Sequence, residues 1–221
     1  MAKRFVVCGA FGTLGGALSK TLSATGHHVV GIDMAPRPEF FSGEAIGGVD
    51  LTSEQQVVEA FEKAASAEGQ FDGLVNVVGG FAWESIAGGV IDTWDKMYAV
   101  NLRTIAIACK TAVAHLPSGG AIVNVGAAAA TQAAAGMGPY AAAKAGVMAL
   151  TQSLADELRS TRIRVNAVLP TIIDTAQNRR DMPDAHFGTW VSPDAIARVI
   201  RFLLSEDGSS ISGVGIPVSL P

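Results

Sequence analysis

Phe5-Val6-Val7-Cys8-Gly9-Ala10-Phe11-Gly12-Thr13-Leu14-Gly15 decides the fold. Four apolar residues give a short buried strand. Glycines follow at three-residue spacing, and an amphipathic stretch then runs to residue 24 and stops at Gly26, the residue type that ends helices. The unit is strand, glycine loop, helix. Small residues there let a backbone approach a diphosphate, while the start of the helix supplies free N–H groups and a favourable dipole. Gly9, Gly12, Thr13, Leu14 and Gly15 are therefore candidate cofactor-binding residues. The spacing Gly-x-x-Gly-x-x-Gly differs from the Gly-x-Gly-x-x-Gly of many dehydrogenases.

Working outward, the same alternation continues. Strands are predicted over 5–8, 28–33, 44–49, 73–78, 121–125, 163–169 and 214–218. Helices are predicted over 12–24, 53–68 with Ser53 as cap and Gln56 in a capping box, from 92 or 93 to just before Pro117, over 140–160, and from Ser192-Pro193 onward. Residues 34–43, with two prolines, read as a loop. Alternating strands and helices imply a parallel sheet covered on both faces. The expected class is a Rossmann-type doubly wound α/β fold of about seven strands. No linker or composition break divides the chain, so residues 1–221 read as one domain.

Bulk composition narrows the function. With 49% hydrophobic and 16% charged residues, a large core is easily built. The net charge of −4 is spread without like-charge blocks, so no nucleic-acid partner is expected. No apolar run is long enough to span a bilayer, so no membrane partner is expected. The basic start at Lys3-Arg4 leads into an apolar run, but Gly9, Gly12, Gly15 and Gly16 interrupt it; a signal peptide is not expected, and a cytoplasmic location is. Cys8 and Cys109, each in an apolar run, read as buried free thiols. His27, His28 and His115 lack metal-ligand spacing, so no metal site is expected.

The chemistry rests on a second motif, Tyr140-Ala141-Ala142-Ala143-Lys144. It puts a phenol and an ammonium one helical turn apart on one face. A nearby cation favours the ionised phenol, whose ordinary pKa is about 10, and makes it a usable general acid or base. Asp33 ends the second strand, 18 residues beyond Gly15. A carboxylate there either accepts the ribose hydroxyls and repels a 2′-phosphate, or caps its own loop. The first reading makes NAD(H) the preferred cofactor, with NADP(H) possible because Arg37 is near. Asp50 and Leu51, after the third strand, either contact the adenine or form an Asx-turn.

Together these features resemble the short-chain dehydrogenase/reductases along essentially the whole chain: the glycine loop, Asp33, Asp50, Asn76-Val77-Val78-Gly79, Asn101, Tyr140 with Lys144, and residues 170–175. The resemblance implies that Val78 and Gly79 line the cofactor, that Pro170, Ile173 and Thr175 flank the nicotinamide, and that Asn101 joins Tyr140 and Lys144 as a catalytic residue by holding a relay water. Thr171 stands where the family usually has Gly. Ala127 stands where the family has the serine that donates to the reacting carbonyl; Thr131 and Asn124 are the candidates to replace it. Gly136-Met137-Gly138-Pro139-Tyr140, residues 168–171 and residues 173–183 are closest to the dihydropteridine reductase branch, which also lacks that serine. Asn101 belongs instead to the pattern of ordinary members. Trp83, Ala127, His186, Phe187 and Trp190 are candidate substrate residues, an aromatic set suited to a flat ring. The leading expectation is an NADH-linked reductase of a quinonoid dihydropteridine or similarly activated acceptor, acting as a homodimer or homotetramer on a small molecule. The alternatives are a short-chain carbonyl or alcohol oxidoreductase, and a nucleotide-binding sensor without turnover.

Overall fold

The computed structural model describes residues 2–65 and 69–220. Its strands are β1 Arg4–Cys8, β2 His28–Ile32, β3 Glu44–Ile46, β4 Gly73–Asn76, β5 Ala121–Val125, β6 Arg164–Pro170 and β7 Gly215–Val218. They form one seven-stranded sheet in the order β3-β2-β1-β4-β5-β6-β7, and every pairing is parallel. The expected fold class is the observed one. The order reverses between β1 and β4, so a crevice opens beyond their carboxyl ends, where open α/β sheets bind ligands.

The strand alternation sends side chains to two separate cores. Val6 and Cys8 face the helices α2 (Glu54–Ala64), α4 (Thr104–Ala112) and α5 (Gly138–Glu157), packing with Phe61, Ile105 and Val147. Phe5 and Val7 face α1 (Thr13–Ala24) and α7 (Pro193–Leu204), packing with Leu18, Ile196 and Ile200. Each such buried side chain contributes about 1.5–3 kcal/mol of apolar burial, so both layers hold the sheet firmly.

Local chemistry sets the boundaries. Ser192 caps α7 by accepting from Ala195 N at 3.2 Å, and Pro193 opens the helix. Ser53 caps α2, but Gln56 reaches past it to accept from Asp50 N at 2.8 Å, so the expected capping box is only half made. That helix ends at Ala64; the expected extension reached residues 66–68, outside the described residues. The third strand stops at Ile46, because Gly47 and Gly48 follow and Gly48 has φ +75°. The expected long helix before Pro117 divides into α3 (Ile91–Tyr98), a π-helical turn at Ala99–Arg103, and α4. The fifth helix begins at Gly138, two residues before Tyr140. A short helix, α6 (Ala176–Asp181), was not expected; Thr175 caps it by accepting from Asn178 N at 3.0 Å. No helix among the described residues is long and apolar enough to cross a membrane.

Candidate active site

The glycine loop leaves β1 and turns into α1 along the crevice. Gly9 has φ +83°, and a Cβ there would lie 2.7 Å from Val78 N, so loop and β4 end meet backbone to backbone. A Cβ on Gly15 would overlap the Gly9 carbonyl and lie 2.6 Å from Ala10 Cα. Gly12 differs: its missing Cβ has no atom nearer than Gly9 O at 3.8 Å. Gly12 is also the N-cap of α1 and brings no capping side chain, which leaves the first N–H groups of Thr13 and Leu14 available. A tight turn with one open face and free helix N–H groups fits a dinucleotide diphosphate.

Asp33 follows β2 and holds the loop. One oxygen accepts from Phe11 N at 3.0 Å and the other from Ala35 N at 3.0 Å. The loop-capping reading is therefore present. Each carboxylate oxygen keeps further lone-pair capacity, so the cap leaves room for ribose hydroxyls. The guanidinium of Arg37 donates to Phe41 O, from Nη2 at 2.9 Å and Nε at 3.3 Å. Asp50 forms an Asx-turn, accepting from Thr52 N at 2.9 Å and Thr52 Oγ1 at 2.7 Å, which holds its carboxyl below the usual range. Leu51 beside it is buried.

Tyr140 sits in the first turn of α5, with Lys144 one turn on. Lys144 is 3% exposed, its Nζ donates to Val125 O at 2.9 Å, and it lies 5.9 Å from the centre of the Tyr140 ring. Burial acts on both groups, pushing the phenol up to about 12 and the ammonium down to about 8. Burial thus opposes the effect expected of the Lys144 charge on the phenol, and it favours the protonated form of Tyr140.

The glycine at 79 brings three elements together. A Cβ there would lie 2.8 Å from Asn101 Oδ1 and 3.2 Å from Lys144 Nζ. Asn101 is fully buried in the π-helical turn. Its Oδ1 accepts from Gly80 N at 3.1 Å, and its Nδ2 donates to Gly80 O at 2.9 Å and Met97 O at 3.1 Å. The side chain expected to support a relay water is thus occupied in clipping the loop after β4.

A cleft of about 410 Å³ opens beside Tyr140. Ala127 lines it, with Phe81, Met137, Pro170, Ile173 and Met182. Neither proposed replacement for the missing serine reaches it. Thr131 Oγ1 donates to Ala128 O at 3.0 Å, and Asn124 is buried within β5, its Nδ2 donating to Thr151 Oγ1 at 3.0 Å. The expected aromatic substrate set is also dispersed. Trp83 lies over Gly136 and donates to Ala135 O at 3.1 Å. Trp190 is buried at 5% exposure and packs on Phe187, ring centres 4.7 Å apart, while the Arg179 guanidinium lies 4.7 Å from the Phe187 ring. His186 packs against Gly188. None of these four lines the cleft; of the expected set only Ala127 does. Thr175 serves as the α6 cap. The aromatic that faces Tyr140 is Phe81, edge to face at 5.1 Å. Its place in the loop just beyond a sheet carboxyl end was the signal that could have found it.

Comparison with known proteins agrees with this geometry. A family model described as enoyl-(acyl carrier protein) reductase matches residues 9–219. The chain is 31% identical over 222 residues to carbonyl reductase family member 4 of Danio rerio, covering 93% of this chain and 92% of that one. It is 33% identical over 230 residues to an uncharacterized short-chain type dehydrogenase/reductase of Sinorhizobium fredii, covering 94% of this chain but only 41% of that relative's length. Among solved structures, carveol dehydrogenase from Mycobacterium avium in complex with NAD superposes with a TM-score of 0.87 at 25% identity, covering 98% and 95% of the two chains. A blue fluorescent protein from a metagenomic library in complex with NADPH gives 0.84 at 25% identity, covering 98% and 96%. A match running from the glycine loop through the last strand, at this depth of shared fold, makes the chain a member of the short-chain dehydrogenase/reductase family and an NAD(P)H-dependent oxidoreductase.

Proposed function

We propose that the protein is an NAD(H)-preferring reductase that passes hydride to an activated, conjugated acceptor of quinonoid dihydropteridine type. The observation that carries this reading is Ala127. The position offers a methyl group to the cleft, and Thr131 and Asn124 are hydrogen-bonded elsewhere. A simple ketone gathers negative charge on its oxygen as hydride arrives, and losing one donor to such an oxyanion costs about 3–4 kcal/mol. A conjugated acceptor spreads that charge and depends less on the donor.

A bound nicotinamide would supply the hydride. In this reading Gly9, Gly12, Thr13, Leu14 and Gly15 hold the diphosphate. Asp33 holds the ribose hydroxyls, with Asp50 and Leu51 near the adenine. Val78, Gly79, Pro170, Ile173 and Thr175 line the nicotinamide half. Tyr140, protonated at neutral pH, gives the proton to the reduced acceptor, and Lys144 holds the nicotinamide ribose. Asn101 fixes the loop against which both work. The protein acts on a small molecule in the cytoplasm, as one domain per chain and as a homodimer or homotetramer.

The serine position provides the test. Ala127→Ser should raise kcat/KM for plain ketones at least tenfold, a part of the donor's full value. High wild-type efficiency on ketones with no gain from the serine would favour the carbonyl or alcohol oxidoreductase reading, which the name of the Danio rerio relative suggests.

A further inference from the structure

The cleft beside Tyr140 carries no charged side chain among its lining residues. Arg179, close by in sequence, is committed to Asp174 through two short bonds of 2.6 and 2.8 Å. A carboxylate or phosphate entering the cleft would lose hydration and meet no charged partner among its lining residues, so the lining favours an uncharged group.

Besides Tyr140, two polar side chains at the cleft, Thr171 and Gln132, have no hydrogen-bond partner among the described residues, and of these two Gln132 alone carries an amide. Gln132 lines the cleft on the same loop as Ala127, five residues on, and is exposed. Its side-chain amide has no hydrogen-bond partner among the described residues, whereas its backbone N–H is fixed to Ala128 O at 3.2 Å. Asn178, also at the cleft, already spends one N–H on Ile173 O at 2.8 Å. A primary amide offers a donor and an acceptor side by side and so complements another amide edge.

We infer that Gln132 is the substrate-orienting residue of this cleft, pairing with the ring-amide edge of an uncharged planar heterocycle. The inference rests on the reading of the cleft as the acceptor site. It supplies what the Ala127 position does not, a directional polar contact on the acceptor. No bond to hydrogen is made or broken at Gln132; its part is to set the ring's register against Tyr140.

The experiment compares wild type, Gln132→Leu and Gln132→Asn with NAD+ bound. The probes are oxidised pterin, a ring amide, followed by its fluorescence, and menadione, an apolar quinone without an amide edge, followed by NADH oxidation. Gln132→Leu should weaken pterin binding about tenfold, the effect of losing one hydrogen bond to the ring amide. The loss on menadione, which lacks the amide edge, should be clearly smaller than the loss on pterin, NADH affinity should change less than about twofold, and Gln132→Asn should recover part of the pterin affinity. Equal losses on both probes would show a packing role and overturn the inference. So would unchanged pterin affinity in Gln132→Leu, or no pterin binding by wild type. Failure of the broader reading appears separately, as wild type reducing no activated acceptor while the binding comparison still reports on Gln132.

Discussion

At Tyr140 two effects act in opposite directions: the nearby Lys144 ammonium favours the ionised phenol, and burial of the ring favours the protonated one. With Lys144 held near 8, its charge is present below that pH and lost above it. If the ammonium contacts the cofactor, NADH affinity should fall as pH rises through about 8, with the midpoint shifted upward in the complex because binding favours the cation. Titrations across that range should show a one-proton transition, and Lys144→Met should flatten it. A wild-type profile as flat as the variant's would remove Lys144 from cofactor binding. Asp33 was legible as one of two things and is built as the loop cap, with capacity left for a ribose. Asp33→Asn keeps an acceptor for the loop but removes the charge. It should narrow the preference for NADH over NADPH by about 1–2 kcal/mol, measured by paired fluorescence titrations. Equal affinities in the wild type would end the claim of preference.

Elements were read well where periodicity was long and poorly where a few residues decided the matter. The strand at residues 121–125 matched its expectation because an apolar run between a glycine pair and a glycine leaves no other reading. The π-helical turn carries no periodicity of its own; Asn101 there makes three contacts within the fold, invisible to a sequence pattern. The short α6 is too brief for a period, and its capping Thr175 served another expectation. The fifth helix is tied to β5 twice, by Lys144 Nζ to Val125 O and by Asn124 Nδ2 to Thr151 Oγ1, both inside the core. Thr151 Oγ1 in turn donates a hydrogen bond to Val147 O at 2.7 Å. Thr151→Val keeps the shape but leaves the Asn124 amide without its acceptor. It should cost about 1–3 kcal/mol in urea denaturation, and Thr151→Ser should cost less. A neutral Thr151→Val would mean that packing alone seats the helix.

For the whole molecule, the parallel sheet order sets the carboxyl ends of β1, β2, β4 and β6 along one side, so the glycine loop, Asp33, Val78 with Gly79, and Pro170 lie on that side although they are distant in sequence. That convergence was legible because alternating strands and helices permit few topologies. The acceptor side was not: its lining comes from loops, whose conformations depend on tertiary contacts such as Trp83 over Gly136, which draws one expected aromatic away from the cleft. The central claim is that this side of the sheet delivers hydride to an activated acceptor while Tyr140 gives the proton. The most direct test is NADH oxidation by wild type and Tyr140→Phe with quinonoid dihydropterin and a panel of plain ketones. The account predicts efficient reduction of the dihydropterin, poor reduction of the ketones, and loss of most turnover in Tyr140→Phe with NADH affinity retained. Efficient ketone reduction with none of the dihydropterin, or full activity without the phenol, would contradict it.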